Sequence, residues 1–206
     1  MNKKEHRILP LSFYLREDVV QISKELLGKV LVTVRDRQRT AGIIVETEAY
    51  GGTDDRASHA FGQRKTERTE IMYREGGITY VYLIYGLHVL LNFVTNKAGT
   101  PHAVLIRALQ PLEGIELMLR RRKLHSLTPN VSNGPAKLTR SLGITLDWNG
   151  LPLTGPQIWV EDRGVVIPSE NIASGPRIGV DYAGEDARRP WRFWIKDNPF
   201  VSKSKG

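Results

Sequence analysis

TYVYLIYGLHVLLNF, residues 79–93, is the stretch on which the fold turns. Two apolar runs of strand length flank Gly86, a natural turn residue, so the segment reads as a β-hairpin. It carries Tyr80, Tyr82 and Tyr85, and Tyr85 stands beside the turning glycine. A large aromatic at a hairpin tip has no core to bury in, so its ring is set out to touch something else.

Outward from the hairpin, VLVTV (30–34) and GIIVETEAY (42–50) are strand-like, with the charged turn RDRQR between them. HAVLIRALQ (102–110) is another strand. REDVVQISKELLGK (16–29) places Val19, Val20, Ile22, Leu26 and Leu27 at helical spacing, with Gly28 as its stop. PLEGIELMLRRRK (111–123) opens with proline and ends in cations, as a helix does. NGPAKLTRSLGI (133–144) reads as a short helix capped near Gly143. The remainder alternates short strands with Pro/Gly turns and ends in RPWRFWI (189–195). Residues 51–77 form a long, polar, glycine-rich loop of the kind that usually carries function. Residues 1–9 read as a flexible basic arm. Strands and helices mix without a βαβ rhythm. The expectation is a single α+β domain over 1–206, with mixed, mostly antiparallel strands, a protruding hairpin and flanking helices.

There is no cysteine, which excludes disulfides, a cysteine nucleophile and thiolate metal sites. No apolar run reaches the ~18 residues of a membrane span, and the N-terminus lacks the apolar core of a secretory signal. A cytosolic protein without membrane association is expected. Lys+Arg number 30 against 22 Asp+Glu, a net charge of +8. Such a balance points to a polyanionic partner, most commonly nucleic acid, with an acidic membrane surface as the rival. No GxxxxGK[ST], GxGxxG or HExxH occurs, and no histidine pair has ligand spacing, so no metal site is expected.

In VETEAY (45–50), strand alternation sends Glu46, Glu48 and Tyr50 to one face and Val45, Thr47 and Ala49 to the other. Two carboxylates and a tyrosine on one face, ahead of a long loop, either line a site or form a solvated face. Arg107 interrupts the apolar strand AVLI-R-AL, and its charge needs a partner. A VETEAY carboxylate is the natural one. The runs Arg64–Lys65, Arg120–Lys123 and Arg188–Arg189 are solvated surface or a phosphate-tracking face.

Taken together, VETEAY, SHA (58–60), TERTEIMY (66–73), YVYLIYG (80–86) with Asn92, VLIRALQPLEG (104–114), NGPAKL (133–138) and RIGVDYAGEDARRPWRF (177–193) follow the order and spacing of one family. The chain resembles the alkyladenine (3-methyladenine) DNA glycosylases of the mammalian type over nearly its whole length. The resemblance implies a monomeric, cofactor-free enzyme that flips alkylated or deaminated purines out of double-stranded DNA and hydrolyses their glycosidic bond. Tyr85 matches the wedge that fills the gap left by the flipped nucleotide. Tyr50, His59 and Tyr82 match the residues enclosing the base, and Asn92 the one opposing the guanine amine. Glu48 matches the general base; Arg107 and the backbone carbonyl of Ile178 match the groups that hold its water. Arg64, Arg68, Met72, Leu87 and Lys137 fall at positions of contact with DNA. The chain departs from the family pattern at Glu67, where proline is usual, at Tyr73, and at Leu87, Asp181 and Tyr182.

The implied site constrains the hairpin. A two-residue turn would pair Ile84 with Leu87 and send Tyr82 and Asn92 to opposite faces. A three-residue loop, Tyr85–Gly86–Leu87, pairs Ile84 with His88, Tyr82 with Leu90 and Tyr80 with Asn92, and brings all of them to one side. An odd loop, or a bulge of the same effect, is therefore expected.

Overall fold

Asp36 and Arg37 both adopt left-handed φ, 51° and 62°. That is the pair required by the tight turn that matches strand twist. They join β2 (Val30–Arg35) to β3 (Gln38–Tyr50), so β3 is longer than its apolar stretch alone indicates. The structure, a computed structural model, describes residues 7–202. β3 is the spine of a nine-stranded sheet. Its one edge carries β2, then β7 (Ile158–Asp162), then β1 (Arg7–Ile8). Its other edge carries β6 (His102–Glu113), β5 (His88–Thr95) and β4 (Ile78–Ile84). β9 (Arg192–Ile195) also pairs with β3 and bears β8 (Ile172–Gly175). Every pairing is antiparallel. The α+β expectation holds. Of the basic arm expected over 1–9, Arg7–Ile8 pair with β7 and belong to the sheet, while 1–6 lie outside the described residues.

The hairpin has the odd loop. Ile84 faces His88, Tyr82 faces Leu90 and Tyr80 faces Asn92. Alternation then divides the sheet into two working faces. Val81, Leu91, Phe93, Val104 and Ile106 pack into the main core with Tyr14, Ile22 and Leu26. On the other face, Tyr80, Val94 and Ala103 pack with Ala60 and Met72 from the 51–77 loop and form the wall of a pocket.

Two helices differ from their sequence reading. After the single turn of α1 (Leu11–Tyr14), α2 spans Val19–Glu25 only, because the Asp18 side chain accepts the Gln21 N–H and sets the start there. The helix expected from Pro111 begins at Ile115 instead (α3, Ile115–Arg122). Pro111–Glu113 extend β6 alongside Ala41 and Gly42, at a register shift where proline's missing N–H is tolerated. Gly114 turns the chain at φ 70°, and a Cβ there would sit 2.5 Å from the Arg39 carbonyl oxygen. α4 (Pro135–Leu142) follows its reading, with proline first and left-handed Gly143 at its end. Among the described residues no helix is long and apolar enough to cross a membrane.

Candidate active site

Glu46, Glu48 and Arg107 meet where β3 and β6 pair, and none of the three is open to solvent beyond 6 %. The solvated-face alternative for VETEAY is excluded. The carboxylate partner expected for Arg107 is present twice: its Nε donates to Glu46 at 2.9 Å and its Nη1 lies 3.0 Å from Glu48 Oε1. Burial works against the Arg107 charge, but the two carboxylates outweigh it and hold its pKa above the ordinary arginine value. Glu46 is further held by the N–H and hydroxyl of Ser202, at 2.7 and 2.8 Å. Glu48 accepts the Ile178 main-chain N–H at 2.8 Å and the Tyr50 hydroxyl at 2.7 Å. Burial and the adjacent Glu48 push the Tyr50 phenol well above its usual range, so it stays a donor. A carboxylate offers about four acceptor sites. Tyr50, Ile178 and Arg107 occupy three, leaving one for a further donor.

Tyr50, Arg107 and Ile178 separate this cluster from a cavity of about 630 Å³. The hairpin, the 51–77 loop and the 178–182 segment supply its walls. Tyr80 and Tyr82 stack at 5.1 Å, and His59 meets Tyr82 edge-on at 4.8 Å. His59 Nδ1 lies 2.9 Å from the Tyr80 hydroxyl, and the Arg68 guanidinium lies 4.6 Å from the centre of the Tyr82 ring. Among the described residues the His59 main-chain N–H has no acceptor. Asn92 shares the face with Tyr80 and Tyr82 and donates to the Tyr80 carbonyl at 3.2 Å.

Burial, with help from Arg68 and Arg64, lowers the His59 imidazole from 6.5 to about 4, so it is neutral at pH 7. The unfolded chain then takes up the proton more readily between pH 6.5 and about 4, and this group's contribution to stability is lost as pH falls through that window. An NMR titration should find the His59 midpoint near 4, and Arg68→Ala should raise it while leaving it below 6.5. A midpoint that Arg68→Ala does not move would show that the cation has no part in it.

A second buried pair was not legible in the sequence. Arg177 forks onto Asp55, with Nη2–Oδ1 at 2.8 Å, and donates to the carbonyls of Ala49 and Asp186. Its guanidinium lies 4.9 Å from the Tyr50 ring centre. Asp55 also accepts the Gly51 and Ala57 N–H groups, an Asx-type turn that the D-x-A spacing could have announced.

The DNA-contact candidates separate into two groups. Tyr85 and Leu87, at the hairpin tip, are 89 % and 73 % exposed. Tyr85 holds φ 53°, a left-handed conformation that disfavours large side chains. Arg64 and Arg68 are also exposed, on the loop beside the cavity. Lys137 lies at the cavity rim and donates to Asn133 at 2.8 Å. Met72 stands apart from both groups. It is 2 % exposed and packs under the pocket with Ala60 and Tyr80, so it is wall rather than outer contact surface.

Comparison with known proteins finds one family. The family model described as methylpurine-DNA glycosylase (MPG) matches residues 12–199. A Bacillus licheniformis protein with the provisional name 3-methyladenine DNA glycosylase is 48 % identical over 198 residues, covering 96 % of this chain and 98 % of that one. A Chlamydia felis protein of the same provisional name is 46 % identical over 199 residues, covering 96 % and 99 %.

Proposed function

This chain belongs to the methylpurine-DNA glycosylase family, and from that premise we propose how it acts. It binds duplex DNA carrying alkylated or deaminated purines such as 3-methyladenine and hypoxanthine. It turns the damaged nucleotide out of the helix and hydrolyses the N-glycosidic bond, leaving an abasic site on an unbroken strand. It works as a monomer, in the cytosol or nucleoid, without a cofactor. The observation that carries this proposal is Glu48: a buried carboxylate, fixed by three donors, with one acceptor position left, directly behind an aromatic cavity.

Glu48 is the general base. It takes a proton from the water that attacks the sugar C1′ as the bond to the base breaks. Arg107 and the Ile178 main chain position that water. Such catalysis contributes roughly 10²–10⁴-fold. Tyr50, His59 and Tyr82 enclose the flipped base. The unpartnered His59 N–H is the donor to its edge, which favours an acceptor there, as on hypoxanthine, over the amino group of adenine. Asn92 stands against the exocyclic amine of guanine. Arg64, Arg68, Leu87 and Lys137 contact the DNA around the lesion.

Incubation with a duplex holding one hypoxanthine tests this. Release of free base with an intact abasic strand is expected. Strand cleavage without added base or heat would favour a lyase instead. Lys137 is the lysine at the cavity rim, and burial followed by the nearby Arg122 lowers its pKa below the ordinary lysine value. No release from hypoxanthine or 3-methyladenine duplexes would overturn the activity.

Tyr85 is the wedge. Its ring covers no core, so Tyr85→Ala should leave stability nearly unchanged. Unstacking a paired nucleotide costs a few kcal/mol, and less at a mismatch. The variant should therefore bind paired lesions more weakly, with a smaller loss on mismatched ones. Equal losses on the two substrates would argue against a wedge.

A further inference from the structure

A second groove, of about 990 Å³, opens beside the pocket and shares His88, Ala136 and Lys137 with it. It runs on past the N-terminus of α4, between the hairpin's returning strand and the β2–β3 turn. Arg35, Arg121, Arg122, Lys137 and Arg140 line it against a single carboxylate, Asp36.

These cations are not neutralised by the fold. Among the described residues, Arg121, Arg122, Lys137 and Arg140 form no ion pair, and Arg35 reaches Asp36 and Asp147 only at 3.9 and 3.8 Å. Their hydrogen bonds go mostly to neutral carbonyls: Arg121 to Ser141, Arg122 to Asn130 and Val131, and Arg140 to Arg121. These bonds occupy one or two donors on each arginine, at the ends of α4 and α3 for Arg121 and Arg140 and in the 129–131 turn for Arg122. A guanidinium has five, in a fork suited to phosphate. Burial and the neighbouring cations lower the Arg121 and Arg122 pKa values, the direction expected of a cluster that repels itself.

We propose that this groove holds the phosphate backbone of the duplex flanking the lesion, beyond the hairpin from the lesion pocket. The proposal rests on the DNA reading above and adds a second track of contact to it. Continuity with the pocket rim favours DNA. A membrane surface is disfavoured because Leu87 is the one well-exposed large apolar side chain on the groove's rim among the described residues.

The test is the salt dependence of binding to a lesion duplex between roughly 50 and 200 mM, the span of the general rule. Each phosphate contact adds about −0.9 to the log–log slope. The double variant Arg35→Gln/Arg140→Gln should therefore flatten the slope by close to 2. Arg35→Lys/Arg140→Lys, which keeps charge but loses the capping geometry, should keep most of it. Single-turnover base release at saturating protein should be unchanged in both. An unchanged slope in the glutamine variant, or an equal loss in the lysine variant, would overturn the proposal. So would binding to phosphatidylglycerol vesicles that the glutamine variant loses while its DNA slope stays. Absence of base release by the unmutated protein would count against the glycosylase reading, and the slopes would still decide the groove.

Discussion

Glu48→Gln should lower single-turnover base release by roughly 10²–10⁴-fold, the usual worth of a general base, while leaving lesion binding close to normal. The geometry explains why glutamine is the informative change. Oε1 accepts from both Ile178 and Arg107, and Oε2 accepts from the Tyr50 hydroxyl. A glutamine can place its oxygen at the first position and its amide nitrogen at the second, where the Tyr50 hydroxyl rotates to accept. Ile178 and Arg107 keep their acceptor, Arg107 also keeps Glu46, the Tyr50 hydroxyl proton turns toward the cavity that Tyr50 lines, and the basicity disappears. Glu48→Ala would instead strip partners from three buried donors and mix a folding defect into the rate. Near-normal excision by Glu48→Gln would remove Glu48 from the role of base. The measurement is the rate of free-base release from a hypoxanthine duplex with protein in excess, beside the dissociation constant for the same duplex.

What the sequence made legible is what depends on local periodicity. The parity of the hairpin followed from alternation once Tyr82 and Asn92 had to share a face, and the Ile84–His88 pairing has that parity. Alternation likewise put Glu46, Glu48 and Tyr50 on one side of β3. It could not say whether that side was wet, because what helps to seal Glu46 is Ser202, 156 residues along the chain. Pro111 misled for a related reason. Proline followed by cations satisfies the local rules for a helix, but pairing with β3 claims Pro111–Glu113 for the sheet. Met72 lies in an exposed-looking polar loop and is buried only because that loop folds back over Tyr80. For Glu46 and Pro111 the deciding partner is distant in sequence, and no window around the residue contains it.

Arg177 is another such case, and its removal should produce the largest loss of stability. The pair with Asp55 spans 122 residues, and Arg177 is 4 % and Asp55 0 % exposed. Arg177→Met would leave a buried carboxylate without its cation. Breaking such a pair from one side costs about 3–5 kcal/mol. At roughly 2–4 °C per kcal/mol for a chain of this size, the unfolding midpoint should drop on the order of 10 °C. Adding Asp55→Asn should restore part of the loss, because the stranded charge goes with it. Lysine should not substitute well, since one ammonium cannot reproduce the fork onto Asp55 together with the bonds to Ala49 and Asp186. The consequence reaches the chemistry. Arg177 precedes Ile178, whose N–H holds Glu48, and it packs on the ring of Tyr50, whose hydroxyl holds the same carboxylate. The folded fraction of Arg177→Met should therefore excise more slowly as well. A thermal or urea midpoint unchanged from that of the parent protein would show that Asp55 is satisfied by the Gly51 and Ala57 N–H groups alone, and that the Arg177 fork is dispensable to the fold.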